Sequence, residues 1–297
     1  MSLKFAILDS GTGGIPYMQY IKQSCPDSYC LYLADTIHFP YGTKTPEQIA
    51  KNAGECISII LSKWNPDAIV IACNTISVTA LDAIRQQFPE VPIVGTVPAI
   101  KLAASISKKR IIGLLATEGT VRHPYINYLK DNFAADCKLV LRGDTDLVDF
   151  VEHKFFTSTE SECLDAVKPA CDYFLSKGCD AIILGCTHFV HLRSIFEKAV
   201  QDKAKIVDSR AGVAKQALKV AASCESGKAS SSGNSGSDNL FSAIADFLEE
   251  RPPLPQDQSL FVTGFNESFG EKEQQIQGYK KLCSCLNIPW GGIINER

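Results

Sequence analysis

At 297 residues the chain has room for about two domains with a core each, and its 45% hydrophobic and 21% charged content is ordinary for a globular protein. A net charge of −3, with lysine and arginine scattered along the chain, argues against a nucleic-acid partner. No apolar run approaches the roughly 18 residues of a membrane span and no secretory leader precedes the first strand, so a cytoplasmic protein with reduced cysteines is expected.

Lys4 to Leu8 reads as a first strand, followed by the turn Asp9-Ser10-Gly11-Thr12-Gly13-Gly14 and a helix that Pro16 starts. Glycines at such a turn let backbone N–H groups approach an anion, so the segment is either a candidate anion site or plain turn geometry. It is not a dinucleotide fingerprint, because the last glycine of that motif would fall on Pro16, and no Walker G-K-[ST] follows. Tyr29 to Ala34 reads as a second strand, 35–42 as a loop, and Pro46 to about Lys63 as a helix. Asp67-Ala-Ile-Val-Ile-Ala is a third strand ending at Cys73, with a helix around Ser77 to Phe88 and a short strand at Ile93-Val94 after it. Strand, helix, strand in this order means an α/β fold with a mostly parallel sheet flanked by helices.

Arg110-Ile-Ile-Gly-Leu-Leu-Ala-Thr117-Glu118-Gly119-Thr120 then restarts the plan with another strand and polar turn, and Asp180-Ala-Ile-Ile-Leu-Gly-Cys186 repeats the third strand. The same 113 residues separate Asp67 from Asp180, Cys73 from Cys186 and Ile93 from Ile206. Three landmarks sharing one spacing mean that two halves have the same internal plan. Between the halves, Leu147 to His153 starts a helix on which Glu152 reads as a solvated charge.

A helix from Asp208-Ser209 to about Ala222 is followed by a Ser/Gly-rich flexible excursion over 223–239, a short helix over 240–249 and an extended Pro252-Pro253-Leu254-Pro255 connector. A final strand over Leu260 to Thr263 and a final helix over Glu271 to Cys285 complete the chain. Cys283-Ser-Cys285 lacks the C-x-x-C spacing, so no metal is expected there, and Cys25, Cys56, Cys163 and Cys171 read as buried or half-buried filler.

Cys73 and Cys186 fall at the carboxyl ends of strands, where open α/β sheets place their chemistry, and each precedes a segment expected to turn helical, which favours a thiolate. Two equivalent cysteines, one on each half, suggest a base on either face of one ligand. That arrangement inverts a carbon centre, one thiolate removing a proton while the opposite thiol delivers another. An α-proton is so weakly acidic that the neighbouring carboxylate needs donors aimed at it, for which Asn74, Thr75, Thr187 and Ser10 are candidates. No lysine announces a pyridoxal Schiff base, so no cofactor is expected.

Leu8-Asp9-Ser10-Gly11, Asp35-Thr36 with Pro40-Tyr41-Gly42, Ala72-Cys73-Asn74-Thr75, Ala116-Thr117-Glu118-Gly119-Thr120, Leu147-Val148 with Glu152, and Gly185-Cys186-Thr187-His188 resemble, in that order, the glutamate racemases of the cofactor-independent aspartate/glutamate racemase family. The resemblance covers nearly the whole chain and implies two pseudo-symmetric α/β domains, 1–96 with 208–297 and 97–207, with the active site in the cleft between them and Cys73 and Cys186 as the paired catalysts. It implies that Asp9 assists Cys73, that His188 assists Cys186, and that Glu152 orients His188. It assigns Ser10, Tyr41, Gly42, Asn74, Thr75 and Thr187, with Asp9 and His188, to substrate binding. It also implies glutamate as substrate, D-glutamate made for peptidoglycan, and a homodimer.

The residues themselves leave alternatives: Asp9 as the cap of its own turn, His188 as a core histidine, Tyr41 as a ring packed on its loop. His38 stands where the family often has arginine, Val190 where it often has proline, and the Ser/Gly excursion is extra. An aspartate or hydantoin racemase, or a binding module without catalysis, are the competing readings.

Overall fold

A computed structural model describes residues 2–229, 258–265 and 267–294. The helix expected at 240–249 and the connector at 252–255 lie outside the described residues. The chain first lays down β1 (Lys4–Asp9), β2 (Tyr29–Ala34), β3 (Ala68–Ile71) and β4 (Ile93–Gly95). It then builds β5 (Ile111–Ala116), β6 (Lys138–Gly143), β7 (Ala181–Leu184) and β8 (Lys205–Val207), and ends with β9 (Gln258–Val262) and β10 (Trp290–Ile293). The first sheet has the order β10-β9-β2-β1-β3-β4 and the second β6-β5-β7-β8, with every neighbouring pair parallel. Second, first, third, fourth is thus the strand order in both halves, and β9 and β10 extend only the first.

Side chains alternate across each strand, and the core follows that alternation. In β1, Phe5 and Ile7 face one apolar cluster and Ala6 and Leu8 another. The first of these clusters also takes Ile182, Leu184 and Cys186, so it is shared by the two sheets, while Ile112, Leu114 and Ile183 belong to a third. Helices on both faces explain why β3 and β7 are buried at every residue and read as unbroken apolar runs. The repeated aspartates tie these strands to their neighbours: Asp67 Oδ2 accepts from Lys4 N–H at 2.9 Å, and Asp180 Oδ2 from the N–H groups of Lys108 and Lys109 at 2.7 Å each. Cys56, Cys163 and Cys171 are buried and Cys25 half-buried, as filler should be.

Several elements depart from the sequence reading. Strand β10 follows the strand expected to be last, and pairs with it. Strand β6 gives no clear signal in the sequence because it lies at the edge of its sheet and is only partly covered, so its apolar pattern is diluted. The helix after Cys73 begins at once, at Asn74, and runs to Gln87. The helix that starts at Arg210 continues past Ala222 to Ala229. Ala, Glu and Lys in that extension are good helix formers, and a single glycine, at about 1 kcal/mol, is not enough to stop a helix already propagating.

Candidate active site

At the carboxyl ends of β1 and β3, Asp9 and Cys73 close the first sheet's side of the site, and Cys186, just past β7, closes the other. Both cysteines are only 5% exposed, and what exposure they have is to one cavity of about 160 Å³. Ser10, Tyr41, Gly42, Asn74, Thr75, Thr187 and His188 line the same cavity. Cavities of about this size accept a benzene-sized molecule, which suits a single amino acid and excludes a nucleotide. No lysine or arginine is among the lining residues, so apart from the His188 ring a carboxylate placed here meets only hydroxyls, amides and backbone N–H groups.

Asp9 and Glu152 stand behind this lining. Asp9 accepts from Gly11 N–H at 3.1 Å, as a turn cap would, and from the Thr187 hydroxyl of the other half at 3.1 Å. Burial pushes its carboxyl up to about 6, against the opposing pull of the His188 charge and those two hydrogen bonds. Burial also pushes the Cys73 thiol well above its usual range, and the Asp9 charge adds to the effect. Cys73 precedes a helix as the sequence suggested, but desolvation outweighs the backbone N–H of Ile76 at the helix N-terminus, and the thiol is protonated at neutral pH.

The reading of Glu152 as a solvated charge is overturned. Its side chain is 4% exposed, because partners from three distant segments converge on it. Thr12 donates to Oε2 from its N–H at 2.8 Å and its hydroxyl at 2.7 Å, the Tyr279 phenol donates to Oε1 at 2.5 Å, and His188 Nε2 lies 3.0 Å from Oε2. Burial works against this charge, but His188 first, and then Tyr279 and Thr12, outweigh it and hold the carboxyl down at about 2. For His188 burial likewise opposes charge, and its bonds to Cys186 and Glu152 prevail, lifting the imidazole well above its usual 6.5. The ring is therefore an imidazolium, with Nε2–H donated to Glu152 and Nδ1 3.7 Å from the Cys186 sulfur. His191, whose burial pushes it down to about 4, is neutral and has Nε2 2.9 Å from the Thr12 carbonyl.

The glycine-rich turn does bind an anion, but the anion is the protein's own Glu152. A Cβ on Gly11 would stand 2.6 Å from the Glu152 carboxylate, and one on Gly13 would stand 2.5 Å from Thr187 Oγ1 and 2.8 Å from the His188 backbone nitrogen. These glycines let the two halves approach each other. A Gly13→Ala variant should consequently lose about 1–3 kcal/mol of stability and shift His188 away from Cys186. A lower melting temperature together with reduced turnover is the expected result, and a variant unchanged in both would refute the close approach.

A family model described as Asp/Glu/Hydantoin racemase matches residues 15–217. The glutamate racemase of Treponema pallidum is 38% identical over 217 residues, 73% of this chain and 81% of that protein. The glutamate racemase of Actinobacillus pleuropneumoniae serotype 5b is 32% identical over 279 residues, 93% of this chain and 96% of that one. The chain belongs to the Asp/Glu/hydantoin racemase family. A crystal structure of Escherichia coli glutamate racemase with L-glutamate has the same fold, with a TM-score of 0.75 at 24% identity over 99% of this chain and 98% of that chain.

For this racemase family member, some lining residues have no role in the sequence reading, although Pro40, Thr117, Glu118 and Val148 fall in the segments that resemble the family. Thr117, Glu118, Thr145 and Val148 line the cavity from the second half, and Phe39, Pro40 and Thr43 from the first. Thr117 follows β5 as Ser10 follows β1, so the strand-end rule applied to Cys73 and Cys186 could have pointed to it as well. The Thr75 hydroxyl lies 3.1 Å from that of Thr117, joining the two halves across the cavity. Tyr41 lines the cavity while its phenol donates to the buried Asp35 at 2.5 Å, which also accepts from Thr263 at 2.9 Å. Tyr41 and Gly42 are thereby fixed against the first sheet.

Proposed function

We propose that the chain interconverts L- and D-glutamate without a cofactor, with Cys73 and Cys186 as bases on opposite faces of the α-carbon. The observation that carries this reading is that two strand-end cysteines, equivalent by repeat and contributed by different sheets, line one small cavity. The two sheets then serve as the cores of two domains, 1–96 with 208–297 and 97–207, with the substrate held between them.

The cysteines are unequally assisted. Cys186 has His188 beside it, fixed by Glu152, so the imidazolium stabilises a thiolate and returns a proton to it. Cys73 has Asp9 as the nearby carboxylate that accepts its proton. The Cys73 thiol, which burial holds in its neutral form, gains acidity when the substrate's ammonium group enters, because an adjacent positive charge favours the thiolate. One thiolate then takes the α-proton, the carbanion is held by donors aimed at the α-carboxylate, and the opposite thiol protonates the other face. Ser10, Asn74, Thr75, Thr187 and the Gly42 N–H are the donors assigned to the two carboxylates.

The relatives' activity supports glutamate over aspartate as substrate. Production of D-glutamate for peptidoglycan in the cytoplasm is the role that accords with it, and among the described residues no helix is long and apolar enough to cross a membrane. A homodimer is favoured by Leu102, Tyr128 and Phe133, large apolar side chains exposed on the helices Ile100–Ile106 and Pro124–Phe133, which pack on each other.

The test is to incubate each glutamate enantiomer with the protein in deuterated water, with no cofactor added, and to follow configuration and α-hydrogen together. Inversion with uptake of one deuteron, from either enantiomer, is expected. Faster inversion of aspartate than of glutamate would replace the substrate, and no inversion of either would remove the function.

A further inference from the structure

We infer that Tyr279 is a positioning residue, whose phenol holds the Glu152 carboxylate in the orientation that aims His188 at Cys186. The inference rests on the racemase reading, in which Cys186 is one of the two bases.

A carboxylate turns readily about its last bond, so one fixed oxygen does not fix the other group's aim. At Glu152 the two oxygens are divided between partners. Thr12 and His188 share Oε2, and Tyr279 alone among the described partners donates to Oε1, at 2.5 Å. Beside this carboxylate lies a second cavity of about 290 Å³, lined by Thr12, Phe39, Glu152, Phe269, Tyr279 and Leu282 among others. Without the phenol, water in this space would compete for Oε1, and the carboxylate would turn away from His188.

Tyr279 is itself held firmly. It belongs to the helix Lys272–Leu286, and its ring lies against Phe265, with centroids 5.8 Å apart, and Trp290 of β10, at 6.2 Å. The strand and helix that end the described chain therefore deliver one hydroxyl to the far side of the catalytic relay. They lie outside the segment of residues 15–217 that the family model matches.

Tyr279→Phe in the full chain keeps the ring packing and removes only the donor. The expected result is a fall in kcat of about tenfold for both enantiomers, with KM within about twofold, since a mispositioned supporting group costs turnover and leaves substrate contacts in place. In a Glu152→Gln background the same change should cost less than about twofold, because the two residues act through one interaction. The 15N signals of the His188 ring provide a readout independent of turnover, and in Tyr279→Phe the imidazolium should lose its proton at lower pH than in the unaltered chain. An unchanged kcat, an equal loss with and without Glu152→Gln, or an unmoved His188 titration would each overturn the inference. If the unaltered chain fails to racemise glutamate, the racemase reading falls, and the His188 titration alone then decides whether Tyr279 positions Glu152.

Discussion

Replacing either Cys73 or Cys186 with alanine is expected to lower glutamate racemisation by about 10²–10⁴-fold, the usual worth of a positioned acid or base. Each variant should stay folded to within about 1 kcal/mol, because only one sulfur atom is lost, from a wall that already faces a cavity. The sharper expectation concerns the half-reactions. A variant with one remaining thiol still abstracts the proton that faces it and returns a solvent deuteron to the same face. One variant should then exchange the α-hydrogen of L-glutamate only and the other that of D-glutamate only, each without inversion. Full racemisation by either variant, or exchange of the same enantiomer by both, would sink the two-base arrangement. The variants should also differ in pH response. Cys186→Ala leaves Cys73 with Asp9, while Cys73→Ala leaves Cys186 with the His188 imidazolium and its Glu152 partner.

The Cys73 and Cys186 pair was legible in the sequence because buried parallel strands read as bare apolar runs, and the chemistry begins where the run stops. The repeat of Asp, apolar run and Cys makes the two sites equivalent in the sequence itself, and the shared strand order β2-β1-β3-β4 and β6-β5-β7-β8 is the structural form of that repeat. Edge strands escaped the same reasoning. β6 is half-covered, and β10 carries Gly291 and Gly292, the latter at φ +105°, so neither shows a sustained pattern. Glu152 was illegible for a different reason. Its own helix gives it the look of a solvated acid, and only the family resemblance pointed to a role. Its burial is produced by Thr12, His188 and Tyr279, which lie 140, 36 and 127 residues away along the chain. Periodicity reports which face of an element is covered, and it is silent on what distant segments bring to cover a polar atom.

Asp9→Asn is expected to make the protein more stable and less active at once. Buried at the end of β1, the Asp9 carboxyl has been raised from 3.8 to about 6, chiefly by loss of solvent. Below 3.8 the group is protonated in both folded and unfolded chains; as pH rises through 6, the unfolded chain keeps its carboxylate at no cost, while the folded one must bury it. The stability tied to the neutral form is therefore lost progressively over that interval, and the deficit is complete above it, at about 3 kcal/mol. An asparagine escapes the deficit. Its Oδ1 keeps the Gly11 N–H, and its amide faces a Thr187 hydroxyl that can turn to accept. Chemical denaturation across pH should show a gain over the unaltered chain of up to about 3 kcal/mol at pH 8, shrinking to about half of that at pH 5. Turnover should fall by about 10²-fold, since in the proposed mechanism Cys73 then loses the carboxylate that accepts its proton. A gain that does not vary with pH would mean that the carboxyl is not buried as a strained charge, and undiminished turnover would mean that Asp9 is only the cap of its turn.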